Sequence, residues 1–244
     1  MANTAPGMRT AMPMVTGMPT ESSPLARLRL LQLCSPSLPI GGFTYSQGLE
    51  YAVEAGWVRD LADAEDWLTG LLQEGLRCLD VPVLARLVRA VETDDPATAM
   101  IWCERLLAAR ETQELRTEER QRGRALSRLL QDLDLPVPPR WEAVLECCQL
   151  APWALASVHW RIPLRDAALG LAWSWLEGQV AAAIKLVPLG QTDGQRLQLR
   201  LAEAVPEAVE GGLVLPDEAV GTSSPLLAIA SSLHETQYTR LFRS

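Results

Sequence analysis

Residues 167–190 read AALGLAWSWLEGQVAAAIKLVPLG, a mixture of small and large apolar side chains long enough for more than six helical turns. Pro163 stands just ahead of this stretch and the Pro188–Gly190 step closes it, because proline cannot donate into the helical ladder and glycine tolerates the exit geometry. Only Glu177 and Lys185 interrupt the apolar surface, so the pattern predicts a helix with almost no solvent face, wrapped by neighbours on every side. It does not read as a membrane span. Each charge would cost roughly 2.5–3.5 kcal/mol at a bilayer centre, and the uncharged run Ala167–Leu176 is far short of the ~20 residues a span needs. The expectation is a soluble all-α protein: a single-domain multi-helix bundle built around this central apolar helix.

A chain of 244 residues with 48% hydrophobic content can bury a large core. Its net charge of −8 argues against nucleic acid, whose phosphates need a basic face. The five cysteines, Cys34, Cys78, Cys103, Cys147 and Cys148, are odd in number and lack a C-x-x-C spacing; neighbouring Cys147 and Cys148 are poorly placed to bridge each other. Reduced thiols in the cytoplasm fit best. Residues 1–23 are rich in Met, Thr and Pro, lack helical period and lack the order of a secretory signal, and so read as a disordered tail ahead of a domain over 24–244.

From there, Ser23-Pro24 is an N-cap followed by proline at the first helical position, with Leu25, Leu28, Leu30, Leu31 and Leu33 as an apolar face. Two prolines and two glycines between Ser35 and Gly42 dictate a shaped loop. Helices are expected over about 44–55, 60–79, 81–91, 141–150, 152–160, 191–209 and 225–238, with Gly211-Gly212 as a break. Between Pro96 and Leu133, the apolar run Met100–Leu107 gives way to ETQELRTEERQRGRALSRLL, a separate or kinked helix whose mixed charges, Glu118 and Arg122 among them, read as a solvated face.

Catalytic constellations are hard to assemble. Only His159 and His234 are present, without an H-E-x-x-H pattern or a thiolate quartet, and Gly41-Gly42 lacks the P-loop spacing. His234-Glu235 reads as a surface dipeptide, the cysteines as buried structural thiols, and Trp173 and Trp175 as core. What remains is polar residues on apolar elements, which suits an interaction surface better than an active site.

At Leu31–Glu50 the segment LQLCSPSLPIGGFTYSQGLE resembles the N-terminal signature of the UreF family of urease accessory proteins. Three more blocks are similar to that family in the same order: Ala109–Arg116, SWLEGQVAAAIKLVPLGQTDGQR, and the terminal SPLLAIASSLHETQYTRLFRS. The resemblance implies an all-α, non-enzymatic scaffold in nickel delivery to urease. It implies a homodimer that bridges a UreD-type protein, also called UreH, and a UreG-type GTPase, with the urease apoprotein reached through the complex. Nickel would transit that assembly without a resident cofactor site in this chain. An alternative within the resemblance is a regulator of GTP hydrolysis by the GTPase, as activator or checkpoint.

The residues singled out as partner-facing are Tyr45, Ser46, Gln47 and Glu50 in the first block; Arg110, Glu111 and Glu114 at the start of the charged helix; Lys185 and Gln191 near the end of the central helix; and Glu235, Tyr238, Arg240, Phe242 and Arg243 at the C-terminal end. Lys185 follows Glu177 by about 80° around the helix axis, so the two could share a polar seam, either as a core ion pair or as a surface for the GTPase. For residues 238–244, burying Leu241 and Phe242 would return ~1.5–3 kcal/mol each against ~1–2 kcal/mol per ordered residue, which predicts a segment that orders only on the UreD-type partner, against Tyr45–Glu50.

Overall fold

The computed structural model describes residues 21–221 and 224–244. The tail expected over 1–23 lies outside the described residues as far as residue 20. Ser22 is already buried with its hydroxyl on Asp166, and Ser23 Oγ accepts from Ala26 N at 3.2 Å, capping the first helix.

In chain order the helices are α1 (Pro24–Cys34), α2 (Leu49–Glu54), α3 (Leu61–Leu71), a π-helical run Leu72–Asp80, α4 (Val81–Glu92), α5 (Pro96–Ala109), α6 (Gln113–Asp132), α7 (Glu142–Leu145), α8 (Leu150–His159), α9 (Leu164–Leu186), α10 (Gln191–Leu213) and α11 (Pro225–His234). No strand occurs among the described residues, so the all-α single domain expected from the sequence is borne out. The central apolar helix is α9, which packs against α10, α1, α4, α2 and α8. Small residues set these approaches: a Cβ on Gly170 would meet Leu30 and Cys34 of α1 at 2.5 and 2.9 Å, and one on Gly194 would meet Ile184 at 2.3 Å.

Enclosure on every side does not hold. Trp173 is 39% exposed and Lys185 is exposed, because the helices packed on α9 cover only part of its cylinder. On α1 the expected apolar face is split: Leu30 and Leu33 turn inward with Ala26 and Cys34, whereas Leu25, Leu28 and Leu31 are exposed.

Three boundaries move for identifiable reasons. The helix expected over 44–55 starts only at Leu49, because Gln47 and Gly48 adopt φ of 50° and 79°, which a right-handed helix cannot contain. The expected helices 60–79 and 81–91 fuse through the π-helical run. Pro82 has no N–H for the Cys78 carbonyl, and Gly221 N supplies the missing donor at 3.3 Å. Gly211 and Gly212 do not break α10 but lie inside it, because a Cβ on Gly212 would stand 2.7 Å from the Arg77 carbonyl oxygen. The stretch 141–150 forms only the short α7, and α11 ends at His234 rather than 238.

Candidate functional site

The solvated face expected of the charged helix α6 holds only in part: Arg120, Gln121, Arg124 and Arg128 are exposed, but Glu118 and Glu119 are buried, and around them polar groups from both ends of the chain converge. At the start of α6, Thr112 Oγ1 accepts from Leu115 N, and Glu235 accepts from Gln113 N at 2.8 Å and Glu114 N at 3.2 Å, anions placed where the helix offers unpaired N–H groups. The end of α11 is thereby fastened to the beginning of α6.

His234 is the hinge pin of this junction. It is fully buried, not a surface residue, with Nδ1 2.7 Å from Glu114 Oε2 and Nε2 3.2 Å from Glu50 Oε2. With a carboxylate at each ring nitrogen, only the doubly protonated ring donates on both sides. Glu50 also accepts from Leu241 N at 2.6 Å and Phe242 N at 2.8 Å, while Arg240 donates to Glu114 at 2.6 Å. The terminal segment is therefore folded down on the chain itself, correcting the expectation that it waits for a partner: charge-assisted bonds to Glu50 supply what burial of Phe242 alone does not. Its position against Tyr45–Glu50 is as anticipated. Phe242 and Ser244 are buried; Tyr238 and Leu241 stay exposed.

A second set of bonds continues inward. Ser46 donates through N and Oγ to the Ser244 carbonyl at 2.8 and 2.6 Å, and Arg243 N donates to Thr44 O at 2.9 Å. Ser244 Oγ, Gln47 Nε2 and Arg122 all donate to Glu118, at 3.1, 3.0 and 2.8 Å. Gln47 in turn accepts from Trp175 Nε1 at 2.8 Å, and Tyr45 Oη donates to Gln121 at 2.7 Å. Burial, and then the charge of Glu118, push the Tyr45 phenol up. Deeper still, Arg110 is held between Asp80 and Glu119, whose other oxygen accepts from Gln149 N at 3.3 Å. Burial pushes Asp80 up to about 6, with Glu119 adding to the effect against Arg110.

Two clefts border this polar chain. The larger, about 100 Å³, is lined by Cys34, Ile40, Arg122, Trp175, Glu177 and Gly178 among others. Burial raises Glu177 from its ordinary value, and burial with Glu177 nearby pushes the Cys34 thiol up to about 12. Among the described residues Glu177 and Lys185 form no ion pair. Lys185 instead stands 5.6 Å from the Phe242 ring centroid. Among the described residues no group of three or more His, Cys, Asp or Glu could hold a metal ion, and no helix is long and apolar enough to cross a membrane.

Of the residues marked in the sequence, Tyr45, Ser46, Glu50 and Phe242 are buried with their polar groups on the chain itself, and Gln47, Arg110 and Glu114 are partly so. Lys185, Glu235, Tyr238, Arg240 and Arg243 reach solvent around the same junction. Glu111 is exposed next to it, and Gln191 is exposed at the first turn of α10, outside the hydrogen-bonded cluster. The sequence did not mark Asp80, Glu118, Glu119, Arg122, Gln149, His234 or Ser244 as parts of a site. For His234 a signal existed: it falls on the buried stripe of α11, seven residues after Leu227 and four after Ala230.

The UreF family model matches residues 58–202, leaving out the 31–50 and 224–244 blocks whose side chains build much of the junction. Over nearly the whole chain the sequence is similar to proteins named urease accessory protein UreF. That of Pseudomonas entomophila (strain L48) is 57% identical over 220 residues, 90% of this chain and 98% of the relative. That of Alkalilimnicola ehrlichii (strain ATCC BAA-1101 / DSM 17681 / MLHE-1) is 54% identical over 228 residues, 93% of this chain and 100% of the relative. The counterpart in Klebsiella pneumoniae (strain 342) is 51% identical over 218 residues, 89% and 97% respectively. With more than half of the chain matched by the family model and relatives aligned end to end, the chain belongs to the UreF family of urease accessory proteins.

Proposed function

We propose that this chain acts in urease maturation as a non-catalytic, cytoplasmic scaffold: a homodimer that joins a UreD/UreH-type protein to a UreG-type GTPase, through which nickel passes as cargo to the urease apoprotein. The observation that carries the reading is a pair of exposed apolar faces on a molecule whose buried acids Glu50, Glu118 and Glu119 are engaged within the chain itself. On α1, Leu25, Leu28 and Leu31 repeat every three residues at 63%, 63% and 66% exposure. On α11, Leu226, Ile229 and Leu233 are 55%, 49% and 40% exposed, and Tyr238 and Leu241 follow them. Apolar stripes at helical spacing, exposed on a folded domain, suit a helical partner. The α1 stripe, flanked by Arg27 and Arg29, suits a second copy in a two-fold contact. The α11 face, bordered by Arg240 and Arg243, suits the UreD-type protein.

The test is co-purification and native mass measurement with Leu28→Asp and Ile229→Asp. The first variant is expected to run at the 26.8 kDa monomer mass and keep the UreD-type partner, and the second to remain dimeric and lose it. If Leu28→Asp still dimerises, or Ile229→Asp still captures the UreD-type protein, the assignment of faces fails.

A further inference from the structure

The larger cleft beside α9 holds polar groups that the junction does not use. Gly178 lies at its floor, where an added Cβ would meet nothing within 4 Å. Around it stand Glu177 and Gln179 from the same helix, Trp175 one turn earlier, and Phe43 from the short turn Gly42–Thr44. Two acceptors here have no donor among the described residues. The Glu177 carboxylate makes no hydrogen bond or ion pair, and burial raises it with no cation acting the other way. Gln179 is only 3% exposed; its Nε2 donates to Gln47 at 3.5 Å, but its buried Oε1 accepts from nothing. Bare acceptors lining a concave surface call for a donor from outside. We propose that this cleft takes an arginine side chain presented by a partner protein, with the guanidinium on Glu177 and Gln179 and its plane against Trp175.

Size, charge and shape each select that occupant. A cleft of about 100 Å³ falls well below the ~300–1,000 Å³ of small-molecule sites and suits a single side chain. The charged groups lining it are Glu118, Arg122 and Glu177. Arg122 is already paired with Glu118 at 2.8 Å, so the site carries one negative charge in excess. Arg122 Nε also lacks an acceptor, yet an anion entering here would face two carboxylates, whereas a cation is attracted by both. A guanidinium offers five N–H donors in a rigid fork, enough for both Glu177 oxygens and the Gln179 oxygen, where an ammonium is a compact point charge. Its flat face stacks on an aromatic ring, and the Trp175 indole is held in place by donating to Gln47 at 2.8 Å. Phe43, 62% exposed on the same cleft, offers apolar surface to the methylene stem. That the arginine belongs to a protein rests on the scaffold reading above; the affinity of the cleft for a guanidinium does not.

The experiment titrates the full-length protein with N-acetyl-arginine N-methylamide and follows backbone and indole N–H signals by NMR. Saturable shifts are expected at Gly178, Gln179 and the Trp175 indole, weaker ones with the lysine derivative, and none with the neutral citrulline derivative. Glu177→Gln should weaken binding at least about tenfold, the loss of one charge-assisted bond. Gly178→Leu should fill the cleft and abolish binding with an unchanged melting temperature, since the space above this glycine is open. Absent or unsaturated shifts in the unmutated protein, an equal response to citrulline or lysine, or undiminished binding by Gly178→Leu would each overturn the proposal. Co-purification with the UreD-type protein and the GTPase then tests the partner: both variants should lower retention of the same one of the two, by about tenfold or more. Equal retention of both would refute docking of a partner's arginine here. An unmutated chain that holds neither would refute the scaffold reading instead, while the titration still decides the cleft.

Discussion

Glu50→Gln isolates what holds the terminal segment. Glu50 Oε1 accepts from Leu241 N at 2.6 Å, and Oε2 accepts from Phe242 N at 2.8 Å while facing His234 Nε2 at 3.2 Å. An amide of the same shape retains one acceptor and sets a donor against a donor at the other atom. For the terminal segment the charge-assisted bond from Phe242 N is lost, worth about 1.5–3 kcal/mol. At tenfold per ~1.4 kcal/mol this becomes an opening equilibrium about 10–150 times more favourable for residues 241–244. Amide hydrogen exchange reads such local openings directly. Protection at Leu241 and Phe242, and at Ser46 N, which donates to Ser244 O, should fall by that factor, with amides of α4 and α8 changing far less. Unchanged protection at Phe242 would show that Glu50 does not hold the segment. A uniform loss across α4 and α8 would show that the segment does not open separately from the core.

Gly123→Ala drives a Cβ to within 2.7 Å of the Cys148 carbonyl carbon and oxygen, which are backbone atoms and cannot rotate away; a loss of about 1–3 kcal/mol in urea denaturation is expected, and an unchanged midpoint would refute the close approach. Asp80 titrates near 6 in the folded chain against 3.8 ordinarily, so the native state binds its proton more tightly and this residue's contribution to stability grows as pH falls through that window. Asp80→Asn removes that contribution: compared with the variant, the unmutated protein should gain stability between about pH 7 and about pH 4.5, and identical pH profiles would refute the reading.

Local chemistry was legible wherever a few consecutive residues decide it. Ser23, Asp60, Asp95 and Thr112 each cap a helix through a side-chain oxygen, and the proline that follows Ser23 and Asp95 stands at a first helical position. The apolar stretch of α9 announced an all-helical domain, and the four sequence blocks pointed to the family. Legibility weakened where burial depends on a partner element. Leu25, Leu28 and Leu31 have the spacing of a buried face, yet Ala26, Leu30 and Leu33 on the same helix are the side that Gly170 admits to α9.

The junction lay beyond local reading altogether. Glu50 and His234 are 184 residues apart, and Ser46 and Ser244 are 198 apart, so no window of sequence contains either pair. A charge-rich helix such as α6 has the same composition whether its acids face water or are satisfied by Gln47, Arg110, Arg122 and Ser244. By itself the sequence determined helix content, caps, the apolar centre and family membership, because these follow from short-range sterics, hydrogen bonding and matching motifs. Only the tertiary structure decided that Glu118 and His234 are interior, that the terminal segment lies on Glu50, and that Cys103 meets Cys148. Burying a polar group is tolerable only when partners from elsewhere in the chain arrive to satisfy it.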